Sequence, residues 1–395
     1  MNHQTLFYQH IAQTSPESIG LEINRAEGIY FYGPNGQKWV DFISGICVMN
    51  VGHGAPEVMQ AIEKQAKAYL HTMVYGEAIM GPQVEFAELL IKELNSRLDR
   101  IYFTNSGAEA TEGALKIAKK YTGRSELISC FGAYHGSTHG ALSVGGNPKK
   151  KEGYGPMLPQ VKHIRFNSFE DLQQITEKTA AFIVEPIQGT GGIILPEPGY
   201  FQAVRQRCDE TGTLLILDEI QTGFGRVGAK FAHQLYEVEP DILLLAKSLG
   251  GGLPLGAFIS RTEIFEVIQQ NPVLGHITTF GGNPLSCAAG MASFRKILDE
   301  GIIEQIPQKE AILHQRLIHP SINLIRGEGL LYAILFKDFD FTEKVRRALL
   351  QNGLVTLGFV NIDNGLRIAP PLTITEEELH HCCDLIIDTL NQMVI

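Results

Sequence analysis

Apolar residues fall along this chain in two rhythms. Between residues 100 and 260, short unbroken apolar runs recur: R-I-Y-F-T at 100–104, 126–130, A-F-I-V at 181–184, L-L-I-L at 214–217, I-L-L-L at 242–245 and 255–259. Continuous runs of this length are what strands buried on both faces show. Stretches of helical period lie between several of them, the clearest at 108–121. Strands alternating with helices predict an α/β fold: a mostly parallel central sheet with helices on both faces. Upstream, 29–42 reads I-Y-F-Y-G-P-N-G-Q-K-W-V-D-F, two β-rich runs around a Pro34-Asn35-Gly36 turn, and predicts a hairpin. A helix is expected over 56–69. Past Pro284 the pattern predicts a helix at 285–298, strands at 330–336 and 365–368, and a terminal helix at 376–393. The expected layout is a large domain over 50–285 and a smaller α+β domain built from both chain ends, 1–49 and 286–395.

Composition narrows the class. The chain has 395 residues, 44% of them hydrophobic and 19% charged, enough to bury a large core without staples. Its 41 glycines cluster in short runs with no period, which excludes a collagen-like or low-complexity chain. A net charge of −10 argues against nucleic acid or an anionic membrane as partner. The six cysteines show neither C-x-x-C nor zinc spacing, so no metal is expected and the thiols read as reduced and mostly buried. No run approaches the ~20 apolar residues of a membrane span, and Met1 to Pro16 lacks the pattern of a secretory leader. The expectation is a cytoplasmic globular protein.

In an open parallel sheet, ligands bind beyond the carboxyl ends of the strands. Those ends lead here to Ser106-Gly107-Ala108, to Tyr134-His135-Gly136-Ser137, to Glu185, to Asp218 and to Lys247. Five strands delivering acids, a lysine, an aromatic and a Gly/Ser turn to one edge are best explained by one shared pocket. Lys247 follows a buried run and precedes Ser248-Leu249-Gly250-Gly251-Gly252; desolvation there makes an amine nucleophilic, unless the side chain simply snorkels out. Asp218 needs a partner for its buried charge, either a pyridinium nitrogen or a structural cation. Ser106 with the helix it opens is an anion site or an ordinary N-cap. Residues 278–284, T-T-F-G-G-N-P, are a second hydroxyl- and Gly-rich loop, serving phosphate or only a turn. Tyr134 can stack on a flat ring or cover the core. A nucleophilic lysine, a buried acid, an aromatic face and a phosphate-binding helix start are together what pyridoxal phosphate requires.

The chain resembles the class III, or omega-amino-acid, family of pyridoxal-phosphate aminotransferases. The resemblance rests on N-S-G-A-E-A at 105–110, Y-H-G at 134–136, E-P-I-Q-G at 185–189, L-D-E-I-Q-T-G-F-G-R at 217–226, L-A-K-S-L-G-G-G at 245–252 and T-T-F-G-G-N-P at 278–284. It implies the aspartate-aminotransferase fold, pyridoxal-phosphate fold type I, and a homodimer with active sites at the interface. It further implies that Lys247 carries the cofactor covalently and that Asp218 keeps the pyridine nitrogen protonated. Gln221 would bond the ring hydroxyl, Tyr134 and Ile220 would cover the two ring faces, and His135 and Glu185 belong to the same cofactor site. Ser106, Gly107 and Ala108 would hold the phosphate, with Thr279 reaching in from the partner copy. Arg367 in G-L-R-I-A-P-P resembles the arginine that binds substrate carboxylate, and Ser137, Thr190 and Tyr75 complete the expected substrate site.

The expected reaction is ping-pong transfer of an amino group from an ornithine, acetylornithine or diamine donor to a 2-oxo acid, with 2-oxoglutarate the expected acceptor. Two positions depart from the pattern usual in ornithine-, acetylornithine- and 4-aminobutyrate-type members: Ser137 stands where they carry arginine, and Thr190 where they carry glutamate. An aminomutase or a decarboxylating enzyme would share nearly every cofactor motif. Gly223-Phe224-Gly225-Arg226-Val227-Gly228 also matches G-x-G-x-x-G, the mark of an NAD-dependent dehydrogenase. Asp218 to Thr222 intervene between strand and glycines, however, against what that fingerprint needs.

Overall fold

The computed structural model describes residues 3–393. Its strands are β1 (Arg25–Glu27), β2 (Tyr30–Tyr32), β3 (Lys38–Asp41), β4 (Arg100–Thr104), β5 (Glu126–Cys130), β6 (Val161–Ile164), β7 (Thr179–Val184), β8 (Leu214–Asp218), β9 (Ile242–Leu245), β10 (Gly256–Ser260), β11 (Leu324–Glu328), β12 (Leu331–Leu335), β13 (Leu354–Val355) and β14 (Gly365–Ile368). Seven form the central sheet in the order β4-β10-β9-β8-β7-β5-β6. All its pairings are parallel except those of β10, which runs antiparallel to both neighbours. Strand β6 carries only one fully buried residue, Ile164, and its mixed composition hid it from the sequence pattern.

The unbroken apolar runs have a direct cause. Leu215, Leu217, Leu243 and Leu245 enter one hydrophobic cluster, while Leu214, Ile216, Ile242 and Leu244 enter another on the opposite face. With both faces covered, alternation of apolar and polar residues would leave polar groups in the core. The helix Gly107–Thr122 covers the second face, and Gly113 lacks the Cβ that would strike the Phe258 ring.

Two small sheets complete the molecule. β1-β2-β3 form an antiparallel hairpin unit, joined by the parallel β13 from the other end of the chain. β11-β12-β14 form an antiparallel sheet, and the helices Ile306–Arg316, Phe339–Gln351 and Glu376–Met393 pack around this end. The helix Pro284–Asp299 packs on Pro56–Ala68 and Gly81–Leu94 beside the central sheet. All six cysteines are free and buried. Among the described residues no helix is long and apolar enough to cross a membrane, and no cluster of side chains could hold a metal ion.

Candidate active site

The carboxyl ends of the parallel strands open into a cavity of about 920 Å³. Its lining includes Ser106, Gly107, Ala108, Tyr134, His135, Ser137, Glu185, Thr190, Asp218, Ile220, Gln221, Lys247 and Arg367. The ladder register explains why the acid and the lysine meet: Asp218 pairs with Leu244, three residues before Lys247.

Lys247 takes a left-handed backbone (φ +50°) just past β9, uncommon for a non-glycine residue. Burial lowers the pKa of its amine, and Arg367 adds to the effect. No hydrogen bond or ion pair holds its Nζ among the described residues. The glycine run after it serves mainly packing: a Cβ on Gly251 would lie 2.5 Å from Ala289 O, one on Gly250 would crowd Leu255, and only Gly252 faces the cavity. Asp218 is 4% exposed. Its Oδ2 pairs with His135 Nδ1 at 2.7 Å, and its Oδ1 accepts the Ile220 N–H at 3.1 Å. His135 is buried; burial works against its protonated form, but the Asp218 hydrogen bond and charge prevail and raise its pKa. Neighbouring Glu219 turns away from the cavity and accepts from His233 N and Nδ1 at 2.7 and 2.8 Å.

Glu185 accepts the N–H groups of Tyr134 (3.3 Å) and Gly189 (3.2 Å), and burial pushes its pKa up to about 7. The helix Gly107–Thr122 starts at the cavity with Ser106 as N-cap, its Oγ accepting from Glu109 N at 3.2 Å. Gly107 admits Ile220, since a Cβ there would lie 2.6 Å from Ile220 Cδ1. Tyr134 is 43% exposed over the opening, its hydroxyl 3.2 Å from Ser137 Oγ. Gln221 Nε2 donates to Cys47 Sγ at 3.5 Å.

Arg367 reaches the cavity from β14. It is 6% exposed, its Cζ lies 4.9 Å from the centre of the Phe359 ring, and its Nε has no hydrogen-bond partner. No carboxylate pairs with it among the described residues. A buried guanidinium without an anion is costly, and a ligand carboxylate would satisfy it. Thr190 donates to Gly132 O (3.2 Å) and accepts from Asn361 Nδ2 (2.8 Å).

Two expected site residues lie outside this cavity. Tyr75 is half-buried in a turn, and Thr279 is exposed in its loop. That loop is pinned over the end of β4 by Asn105 Nδ2 donating to Thr278 Oγ1 (3.0 Å) and by Gly281 packed on Phe103 and Thr104, which leaves Thr279 away from the cavity of its own chain. The dinucleotide reading fails on geometry: residues 220–227 form turns, and no helix opens on their glycines. Arg226 is instead fully buried and donates to Leu330 O, Pro370 O, Ser44 Oγ and Asn50 Oδ1. The sequence pattern did not reveal Gly45, Ile46, Leu357, Phe359 and Val360, which also line the cavity. They are apolar or small and carry no chemical signature; the left-handed backbone at Ser44, Ile46 and Cys47 is visible only in three dimensions.

The donor set fits pyridoxal phosphate. It offers an unpaired amine of lowered pKa, an anchored carboxylate, a capped helix start for phosphate and an exposed aromatic ring.

The family model of the class-III aminotransferases matches residues 11–390. An acetylornithine aminotransferase of Methanocaldococcus jannaschii is 40% identical over 382 residues, covering 93% of this chain and 92% of that one. One from Clostridium acetobutylicum is 38% identical over 377 residues, 91% and 94% of the two chains. The solved ornithine aminotransferase of Toxoplasma gondii superposes with a TM-score of 0.91 at 31% identity, covering 99% of this chain and 94% of that one. A second crystal of that enzyme has pyridoxal phosphate partially occupying its active site.

Proposed function

The chain belongs to the class-III aminotransferases and is a pyridoxal-phosphate-dependent omega-aminotransferase with an amine donor and an oxo-acid acceptor; on that footing we propose that the donor is ornithine-like, acetylornithine-like or a diamine, and that the acceptor is 2-oxoglutarate. The carrying observation is that Lys247, unpaired and of lowered pKa, shares one cavity with the anchored Asp218. Bound pyridoxal phosphate supplies an electron sink for the carbon that bears the amine. Lys247 Nζ would hold the cofactor and, when free, would carry a proton as general base and acid beside it. Asp218, fixed by His135 and the Ile220 N–H, would keep a proton on the ring nitrogen. Ser106 and the N–H groups of Gly107 and Ala108 hold the phosphate. Gln221 would meet the ring hydroxyl, Tyr134 and Ile220 would cover the ring, and Arg367 would take the substrate carboxylate.

Thr279 belongs in this reading to the partner copy of a homodimer. Its loop carries the exposed Ile277 and Phe280, and the exposed Leu70 and Met73 lie nearby. Asn283 Nδ2 bonds Leu70 O at 3.0 Å and the His71 and Phe280 rings lie 4.9 Å apart. An exposed apolar group of this kind calls for a partner. A screen of amine donors against 2-oxoglutarate and pyruvate tests the substrates, and borohydride reduction followed by peptide mapping tests Lys247. Label on another lysine, or turnover with pyruvate alone, would overturn the corresponding part.

A further inference from the structure

The cavity wall that carries Arg367 and the wall that carries Lys247 come from different parts of the chain, and Asn361 joins them beside the cavity. Its Nδ2 donates to Gly132 O (2.6 Å) and to Thr190 Oγ1 (2.8 Å). Its Oδ1 accepts from Asn147 Nδ2 (2.8 Å), and its backbone N–H donates to Thr190 O (3.2 Å). One side chain thus engages three separate segments around the central sheet. The grip is reinforced alongside: Arg326 donates to Gly191 O (3.2 Å) and Gly192 O (2.6 Å), and a Cβ on Gly192 would lie 2.5 Å from Ile362 Cδ1.

The loop that Asn361 holds also carries the surroundings of Arg367. Leu357 O accepts the Arg367 N–H at 2.8 Å, and the Phe359 ring lies against the guanidinium. Leu357, Phe359, Val360 and Arg367 all line the cavity, whereas Asn361 does not. The Arg367 side chain extends from β14, its Nε has no partner of its own, and the Phe359 ring of this loop lies against its guanidinium. The Thr190 hydroxyl is engaged both as donor and as acceptor, which makes it part of the clasp and leaves it no proton for a ligand.

Resting on the aminotransferase reading above, we infer that Asn361 is a positioning residue for the carboxylate subsite: through Thr190 it clasps residues 357–362 to the large domain and sets where Arg367 meets the carboxylate of the oxo acid. A carboxylate bound to a displaced guanidinium loses its paired geometry, while an amine without a carboxylate does not register the change.

The test uses holoenzyme of wild type, Asn361→Ala, Thr190→Val and the double variant. The KM for 2-oxoglutarate should rise ~10-fold in either single variant. The double variant should be no worse than the larger single effect, because both break one clasp. Single-turnover rates with putrescine, which lacks a carboxylate, should stay within about two-fold. Multiplying effects, equal losses in the two half-reactions, or unchanged KM would overturn the clasp. Should Asn361→Ala fail to fold, Thr190→Val decides alone, since it removes one hydroxyl at nearly constant shape. A wild-type enzyme that transfers amine but shows no response in the variants keeps the proposed function and loses only the clasp; one inactive with every donor and acceptor loses both.

Discussion

Asp218 and Arg367 line one cavity from different sheets, and their surroundings differ in kind. Asp218 ends a strand held in register by β7 and β9, and its two oxygens are already engaged by His135 and the Ile220 N–H. Arg367 ends in no ion pair among the described residues; it rests on Phe359 and on a loop tied by Asn361 to the segment after β5. The first wall is fixed by neighbouring strands, before any ligand arrives. The second is fixed by contacts across the molecule and leaves a charge unsatisfied. Preorganised groups suit the chemical step, where reorganisation would raise the barrier. An unpaired cation suits recognition, where the ligand supplies the missing charge.

Four changes would break or sharpen this contrast. The largest effect belongs to Lys247→Ala, which on the proposed function would remove the covalent anchor and the proton carrier together. Turnover should fall by roughly 10⁴-fold or more, for every donor alike. Substantial turnover without added amine would show that the strand-end wall does not hold the chemistry. Next comes Asp218→Asn, expected to keep the fold and lose on the order of 10²-fold in kcat. A variant within a few-fold of wild type would mean that the ring nitrogen has another partner.

On the recognition side, Arg367→Ala should raise the KM for 2-oxoglutarate ~10²-fold, the scale of truncating a desolvated bidentate pair. Single-turnover with putrescine should change far less. Equal losses in the two measurements would make Arg367 a structural residue. The smallest effect is one of stability. Glu185 has a pKa raised by burial from 4.5 to about 7. An acid with a raised folded pKa binds more protons folded than unfolded, so its contribution to stability falls as pH rises from about 4.5 to 7. Apoenzyme Tm should therefore drop across that window more steeply in wild type than in Glu185→Gln, by a few degrees at most. Parallel melting curves would show that Glu185 is ionised throughout.

The strand-end wall was legible in the sequence because strands buried on both faces announce themselves as unbroken apolar runs, and the first polar residue after each run must sit at the sheet edge. That reasoning located Asp218, Lys247, Glu185, Ser106 and Tyr134 with no knowledge of their partners. It left open the purpose of the glycines after Lys247, since close approach by the helix Pro284–Asp299 and by a ligand leaves the same mark in sequence.

What the sequence determined by itself was therefore the sheet, its edge and the polar groups that line the cavity there, all of which depend on periodicity and on neighbours near in the chain. Tertiary structure alone decided which cation lacks a partner, which loop holds it and which residues stay outside the cavity. Arg367 and Phe359 are eight residues apart, but their relation to Thr190, Gly132 and Asn147 runs through Asn361 and spans more than 150 residues. The physical reason is that a side chain's charge balance depends on everything folded against it. Nothing in the local pattern distinguishes the unpaired Arg367 from Arg226, which is also buried but engaged by four oxygens.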